Sequence, residues 1–215
     1  MSQADWAEGI ARALLEQPLP RRWTHTQGVA ATARTLNPVL GCDAGVVTGA
    51  AWLHDIGYAP ALQGCGFHPL DGARYLRDVE RADPLLCRLV AHHSCACIEA
   101  AERGLADELL REFKPAPRGL TDALLYCDMT TGPLGQPMTV EERLAEIRGR
   151  YGADHVVTRT SARSAPHLAA SVARVTRQLA VRSRRAAISP GDPGYDRSAL
   201  AEVGTVAVLG VVLNA

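Results

Sequence analysis

Residues 50–58 read Ala-Ala-Trp-Leu-His-Asp-Ile-Gly-Tyr, an apolar helical run that ends on a histidine and a carboxylate side by side. Both side chains are polar, and a buried polar group needs a partner. Imidazole nitrogen and carboxylate oxygen together are ligands for zinc, iron, manganese and nickel. Further candidate ligands lie on both sides of this pair: His25, His68, His92, His93 and Asp128. The pattern predicts a divalent metal site at the end of a buried helix.

Hydrophobic spacing predicts helices, and no strand, along the chain before its tail. The helix that carries the pair is expected over about 43–56, with Asp43 as N-cap and an apolar stretch that makes it central. Gly57 would end it. The other predicted helices cover about 5–16, 23–36, 68–76, 84–93, 98–110, 120–129, 139–150 and 166–187. We expect one all-α domain over 1–188, a helical bundle with a metal site in its core, and a loosely attached tail over 189–215.

Composition excludes several classes of function. The 215 residues carry no formal net charge and the pI is near 7.0, so no global field favours nucleic acid or an anionic membrane. The longest apolar stretch, 203–213, is too short for a membrane span and contains two glycines. The N-terminal segment lacks an export signal, which predicts a cytoplasmic protein with reduced, mostly buried thiols. A zinc site with Cys95 and Cys97 is an alternative, but their spacing fits no common pattern. Oligomerisation stays open.

The candidate ligands all fall at helix ends or on inward faces, so several helices could aim them at one point. His25, His54, Asp55 and Asp128 would hold one ion and leave positions for water and substrate. His68, His92 and His93 would hold a second ion, with Asp55 as the bridge and as the residue that orients the attacking water. Two ions a few ångströms apart clamp both oxygens of a phosphate displacement.

Alternatives exist for single members of this set. Adjacent helical residues point about 100° apart, so His54 and Asp55 can share a metal only at the helix end. For the same reason His93 could donate a hydrogen bond to phosphate instead of binding a metal. His68 precedes Pro69 and could simply cap a helix.

Candidate substrate contacts flank the ligands. Arg21 and Arg22 lie just before His25, close enough to reach an anionic substrate, and Thr130 follows Asp128 closely. Arg143 could bind a distal phosphate. For the arginines, the alternative is an ordinary solvated helix surface.

The order His25, His54-Asp55, Asp128 resembles the H…HD…D motif of the HD superfamily of metal-dependent phosphohydrolases, over about residues 20–131. With His68 and the pair His92-His93, the chain is similar to members with an extended ligand set, such as HD-GYP phosphodiesterases and diadenosine tetraphosphate hydrolases. That resemblance implies an all-helical HD domain and two metal ions, commonly iron or manganese. Two departures stand out: Tyr58 occupies a position where the family often has lysine, and Ser94-Cys95-Ala96-Cys97 replaces the Gly-Tyr-Pro motif. Cyclic dinucleotide hydrolysis is therefore not supported.

The resemblance implies a metal-dependent phosphohydrolase that uses hydroxide on one or two ions of iron, manganese, nickel or zinc. Its expected substrate is a phosphomonoester, phosphodiester or anhydride of a nucleotide or a similar small molecule. One alternative is a di-iron oxygenase, since a minority of HD proteins with this ligand set are oxygenases. The other is a catalytically silent metal-binding domain for sensing or scaffolding.

Overall fold

The computed structural model describes residues 2–187, and within that range it contains α-helices, short 3-10 turns and no strand. The 3-10 turns lie at Gly41–Asp43, Ile56–Tyr58, Pro60–Leu62 and His93–Cys95. The helices are α1 (Gln3–Leu15), α2 (Pro20–Thr35), α3 (Asn37–Leu40), α4 (Ala44–Leu53), α5 (His68–Asp78), α6 (Pro84–Ala91), α7 (Ala96–Glu102), α8 (Ala106–Glu112), α9 (Arg118–Met129), α10 (Val140–Tyr151) and α11 (Val156–Ala187). The predicted all-α fold is confirmed.

Helix α4 is the centre of the bundle, as its apolar sequence predicts. Residues 47–53 are all buried, and α1, α2, α6 and α9 pack around it. The residues of α4 are mostly small, and small side chains let several neighbouring helices approach one axis. Its C-terminal end is therefore surrounded by protein, and the His54-Asp55 pair that follows it is buried.

Three predicted helix boundaries are wrong. Asp43 makes no side-chain cap, because it already belongs to a 3-10 turn with helical backbone angles. The stretch predicted as one helix over 98–110 is two helices, separated at Gly104, whose φ is +73°. The last helix begins at Val156 and not near Pro166, which lies inside it. An internal proline costs one helix hydrogen bond, and burial of Leu168 and Val175 beyond it offsets that loss.

Two glycines allow the close approaches that assemble the site. A Cβ at Gly57 would lie 2.0 Å from the carbonyl oxygen of His68, so the turn after α4 packs directly on the start of α5. A Cβ at Gly28 would lie 2.5 Å from Cα of Gly135, so α2 packs directly on the loop after α9. No other residue fits at such distances. The first approach places the start of α5 beside Asp55, and the second places α2 beside the end of α9.

Helices α10 and α11 cover the end of the bundle where α2, α4, α5 and α9 meet. Val140 and Ile147 of α10 and Leu168 of α11 form a buried apolar cluster with Leu125 and Met129 of α9. Helix α10 begins with the predicted capping box, in which Thr139 and Glu142 bond to each other's backbone N–H. The two helices are thereby fixed over the final turn of α9.

Contacts between Cα atoms divide the chain into two units, residues 1–178 and 179–215. The predicted boundary between 188 and 189 lies outside the described residues and stays a prediction. The predicted tail, 189–215, lies outside the described residues. In the described part of the chain, no helix combines the length and the apolar character that crossing a bilayer requires.

Candidate metal centre

Four helices, α2, α4, α5 and α9, and the 3-10 turn after α6 bring predicted ligands together. His25 lies on α2, His68 is the first residue of α5, and Asp128 is the last residue but one of α9. His54 caps α4, and Asp55 after it leaves the helix with φ −104° and ψ 4°. This departure resolves the objection about adjacent residues, because His54 Nε2 lies 3.4 Å from Oδ2 of Asp55.

The first group consists of His25, His54 and Asp128, whose potential ligand atoms all lie within 4.8 Å of one another. Oδ1 of Asp128 lies 3.1 Å from His25 Nε2 and 4.0 Å from His54 Nε2. All three residues are buried, with at most 7% of their surface exposed. Such a cluster of inward-pointing nitrogens and oxygen could hold one ion.

The second group consists of Asp55, His68 and His93, again within 4.8 Å. His68 Nε2 lies 3.5 Å from Oδ1 of Asp55 and 3.1 Å from His93 Nε2. Asp55 thus directs Oδ1 to this group and Oδ2 towards His54 of the first group. One carboxylate lies between the two candidate sites.

The protonation pattern of the histidines fits a metal. Nδ1 of His25, His54 and His93 faces the carbonyl oxygens of Gly132, Ala51 and Val90 at 3.0, 2.8 and 2.7 Å. A carbonyl only accepts hydrogen bonds, so each Nδ1 donates, and Nε2 is the ring atom left to bind a metal once it carries no proton. Backbone carbonyls orient metal-binding histidines in this way. Nε2 of His54 is completely buried and has no hydrogen-bond partner within the described residues. A cation between these atoms would supply that partner.

Buried charges shift the pKa values of the ligands in a consistent direction. Burial alone would raise the pKa of Asp55, but the charges of Arg22 and His54 hold it well below its usual range. Burial likewise opposes ionisation of Asp128, and the hydrogen bond from His25 and the charge of His54 keep its pKa low. Both carboxylates are therefore ionised, as metal ligands must be.

The histidines fall into two classes. Burial, with a contribution from each ring's histidine neighbour, lowers the pKa of His68 and of His93, so both rings are neutral near pH 7. For His54 burial acts in the same direction, but the adjacent Asp55 carboxylate outweighs it and raises the pKa. A metal at the first group must therefore compete with a proton on His54, which makes its affinity dependent on pH.

His92, predicted as a ligand, does not reach either group. Its Nε2 donates instead to the carbonyl oxygen of Phe113 at 2.7 Å. The backbone of His92 leaves helical geometry at φ −113° and ψ 12°, and Ser94 and Cys95 then adopt positive φ. This sharp turn separates His92 from His93 and sends only His93 to the centre. The correction concerns one member of the pair, and the predicted ligand role of His93 remains a proposal.

Two residues at the centre were missed or misjudged from sequence. Ser94 donates a hydrogen bond to Oδ2 of Asp128 and so fixes that carboxylate. Tyr58 stacks on His68 with 3.8 Å between ring centroids, while the Arg22 guanidinium lies 3.5 Å from the centroid of the same phenol ring. Arg22 also contacts Oδ2 of Asp55 at 2.5 Å. The family often has lysine at the position of Tyr58. In this chain Arg22 of α2 packs on Tyr58 and supplies a cation there. No local sequence pattern links positions 22 and 58.

A cavity of about 90 Å³ adjoins the second group. Its walls include the ligands Asp55, His68, His93 and Asp128, and α10 and α11 cover it with Ile147, Arg150, Tyr151, Val157, Ser161 and Leu168. Arg22 and Arg143, two of the predicted substrate contacts, also line it. Arg143 is buried, lies 3.7 Å from Asp128, and its Nε has no partner within the described residues.

The other two predicted substrate contacts lie elsewhere. The Arg21 side chain is 63% exposed, and its guanidinium is 3.9 Å from Glu146. Thr130 donates its hydroxyl hydrogen to the carbonyl oxygen of Tyr126 and lines a different groove. Thr130 follows the last residue of α9, and its side chain turns back along the helix instead of towards the ligands.

The six cysteines are all free. The prediction that most are buried is wrong, since only Cys87 and Cys127 are buried and Cys42 and Cys97 are exposed. Neither candidate metal group of the described residues contains a thiol. The alternative of a site with Cys95 and Cys97 therefore has no support in the geometry.

Comparison with protein-family models gives one match, to the HD domain, over residues 22–148. This match covers 127 of the 215 residues and contains every member of both candidate metal groups. The chain belongs to the HD-domain family. Members of this helical family are mostly metal-dependent hydrolases. Neither the curated proteins nor the solved structures include a significant match to this chain.

Proposed function

We propose that this HD-domain protein is a phosphohydrolase that uses two divalent metal ions to cleave a small phosphorylated compound. The observation that carries the proposal is the Asp55 carboxylate between two groups of ligands, beside a cavity lined by arginines. His25, His54 and Asp128 would hold one ion, His68 and His93 the other, and Asp55 would bridge them. Ions bound there would lower the pKa of water and polarise a phosphoryl oxygen.

The remaining side chains of the cavity suit a phosphoryl group. Arg22 and Arg143 place guanidinium groups on its wall, where they can neutralise the equatorial oxygens of the phosphoryl group in the transition state. Ser94 and the backbone carbonyls hold the ligands in place before substrate binds. The cover formed by α10 and α11 reduces contact with bulk water, and a lower local dielectric strengthens these interactions. A nucleotide remains one candidate substrate.

The alternatives from sequence gain nothing specific from this geometry. A silent scaffold would require an incomplete ligand set, whereas six of the seven predicted ligands converge. Oxygenase chemistry would use the same ligands, so the assay must distinguish it. Oxygen consumption without phosphate release would identify it.

The test is phosphate release by the purified protein with Mn²⁺ or Fe²⁺, on phosphomonoesters, phosphodiesters and nucleotides. Asp55→Asn removes the bridging charge and should lower kcat/KM by about 100-fold or more. His167→Ala is the matched control, because His167 is an exposed histidine outside both groups. Turnover that survives Asp55→Asn, or no turnover with any metal, would contradict the proposal.

A further inference from the structure

A second hollow, of about 290 Å³, lies next to the metal cavity and shares side chains with it. Arg22 and Arg150 line both, and the hollow continues past them to Arg21 and to the prolines Pro20 and Pro133. Among the residues that the structure describes, no carboxylate lines it. His25, whose Nε2 faces Asp128, forms part of its wall, so it begins one side chain away from the metal groups.

The metal cavity is too small for most organic substrates. Its volume of about 90 Å³ is far below the roughly 300–1,000 Å³ of typical small-molecule sites. It has room for a phosphoryl group, but the rest of a substrate must lie outside. The adjoining hollow, which shares Arg22 and Arg150 with the cavity, offers space for that remainder.

The charge of the hollow specifies what it would bind. Three arginines, Arg21, Arg22 and Arg150, line it, and the acids that pair with them do not. Arg21 and Arg150 are 3.9 and 3.4 Å from Glu146, and Arg22 is paired with Asp55. Metal ions bound to Asp55 would replace Arg22 as the partner of this carboxylate. The Arg22 guanidinium could then bind substrate. Guanidinium groups bind phosphate and carboxylate through paired hydrogen bonds.

We propose that this hollow is a subsite for a second anionic group, so that the substrate carries a phosphate or carboxylate besides the phosphoryl group that is cleaved. This inference rests on the proposed function. The prolines would contact the short organic link between the two groups. Arg21, the most exposed of the three arginines, would discriminate substrates with a second anionic group from those without one.

The test uses two non-hydrolysable ligands that differ in one charge, 3-phosphonopropionate and propylphosphonate. Calorimetry with the Mn²⁺-loaded protein should show 3-phosphonopropionate binding about tenfold more tightly, as expected for one charged contact. Arg21→Gln should reduce this ratio to about one without changing the affinity for propylphosphonate. Arg34→Gln is the matched control, because Arg34 is an exposed arginine on the same helix that does not line the hollow.

A ratio near one in the unaltered protein, or a ratio that survives Arg21→Gln, would overturn the subsite while leaving the metal centre intact. Failure of both phosphonates to bind the Mn²⁺-loaded protein would instead contradict the proposed function, and the subsite with it. Turnover gives a second readout. Arg21→Gln should lower kcat/KM only for substrates with a second anionic group.

Discussion

Replacing Gly57 with alanine should separate α5 from the metal centre. The new Cβ would lie 2.0 Å from the carbonyl oxygen of His68 and 2.7 Å from the backbone nitrogen of Gly72. Both atoms belong to the backbone of α5, so no side-chain rotation relieves the clash. Contacts of a real Cβ essentially never fall below 3.0 Å, and α5 must therefore move by about 1 Å. Overpacking of this kind costs about 1–3 kcal/mol of the free energy of unfolding, occasionally more.

The same shift should affect one metal group and spare the other. His68 moves with α5, and a ligand displaced by about 1 Å exceeds the roughly 0.2 Å tolerance of a metal site. The three atoms nearest to that Cβ all belong to α5, and none belongs to His25, His54 or Asp128. We expect calorimetric titration of Gly57→Ala with Mn²⁺ to retain the first ion and to lose at least tenfold in affinity for the second.

Gly9→Ala provides the control, measured by urea unfolding alongside Gly57→Ala. Gly9 lies within α1, and a Cβ there meets nothing within 4 Å. Alanine at an open helical position stabilises by about 0.5–1 kcal/mol relative to glycine. The reasoning is refuted if Gly57→Ala is as stable as the unaltered protein and binds two ions with unchanged affinities.

Four other substitutions test separate parts of the account. Arg22→Gln removes the cation from buried Asp55 and should destabilise the metal-free protein by about 3–5 kcal/mol. Mn²⁺ should restore most of this stability in thermal melts. An equal loss with and without Mn²⁺ would show that Asp55 does not bind the metal. His93→Leu should weaken binding of the second ion, whereas His92→Leu should leave the metal stoichiometry unchanged and cost about 1–3 kcal/mol through the orphaned Phe113 carbonyl. An ion lost from His92→Leu would show that the ligand assignment is wrong. The hydrogen bond from Arg74 lowers the pKa of Glu112 to about 2 from 4.5, so its contribution is complete above pH 4.5 and disappears as the pH falls towards 2. Glu112→Gln should therefore be less stable than the unaltered protein by up to about 1 kcal/mol near neutral pH, and denaturant titrations from pH 6 to pH 3 should show that gap closing; a constant gap would exclude this carboxylate as its source.

Much of the centre could be predicted because ligand type and helix position are visible in sequence. An apolar helix that ends on His54 and Asp55 is most simply explained by a metal site, and Gly57 after it indicates where the helix ends. The order of His25, His68 and Asp128 along the chain then places each on another helix. These features depend on local patterns of three or four residues, which sequence displays directly.

Other features depend on backbone geometry that sequence does not signal. Ser94 and Cys95 adopt positive φ without being glycine, so nothing in the sequence indicated which of His92 and His93 would face the centre. In the sequence, Tyr58 shows only that the family's lysine is missing. The cation that packs on it, Arg22, lies 36 positions earlier on α2. The start of α11 was also missed, since Pro166 is a typical helix beginning and only packing shows that the helix continues through it.

The most direct measurement of the central claim is electron paramagnetic resonance of the protein titrated with Mn²⁺. Ligand groups that share one carboxylate bring their ions close enough for exchange coupling, so the spectrum at two equivalents should be that of a coupled pair. Asp55→Ala should abolish the coupled signal. A spectrum of isolated Mn²⁺ ions at every ratio, or no bound Mn²⁺ at all, would contradict two adjacent sites bridged by Asp55.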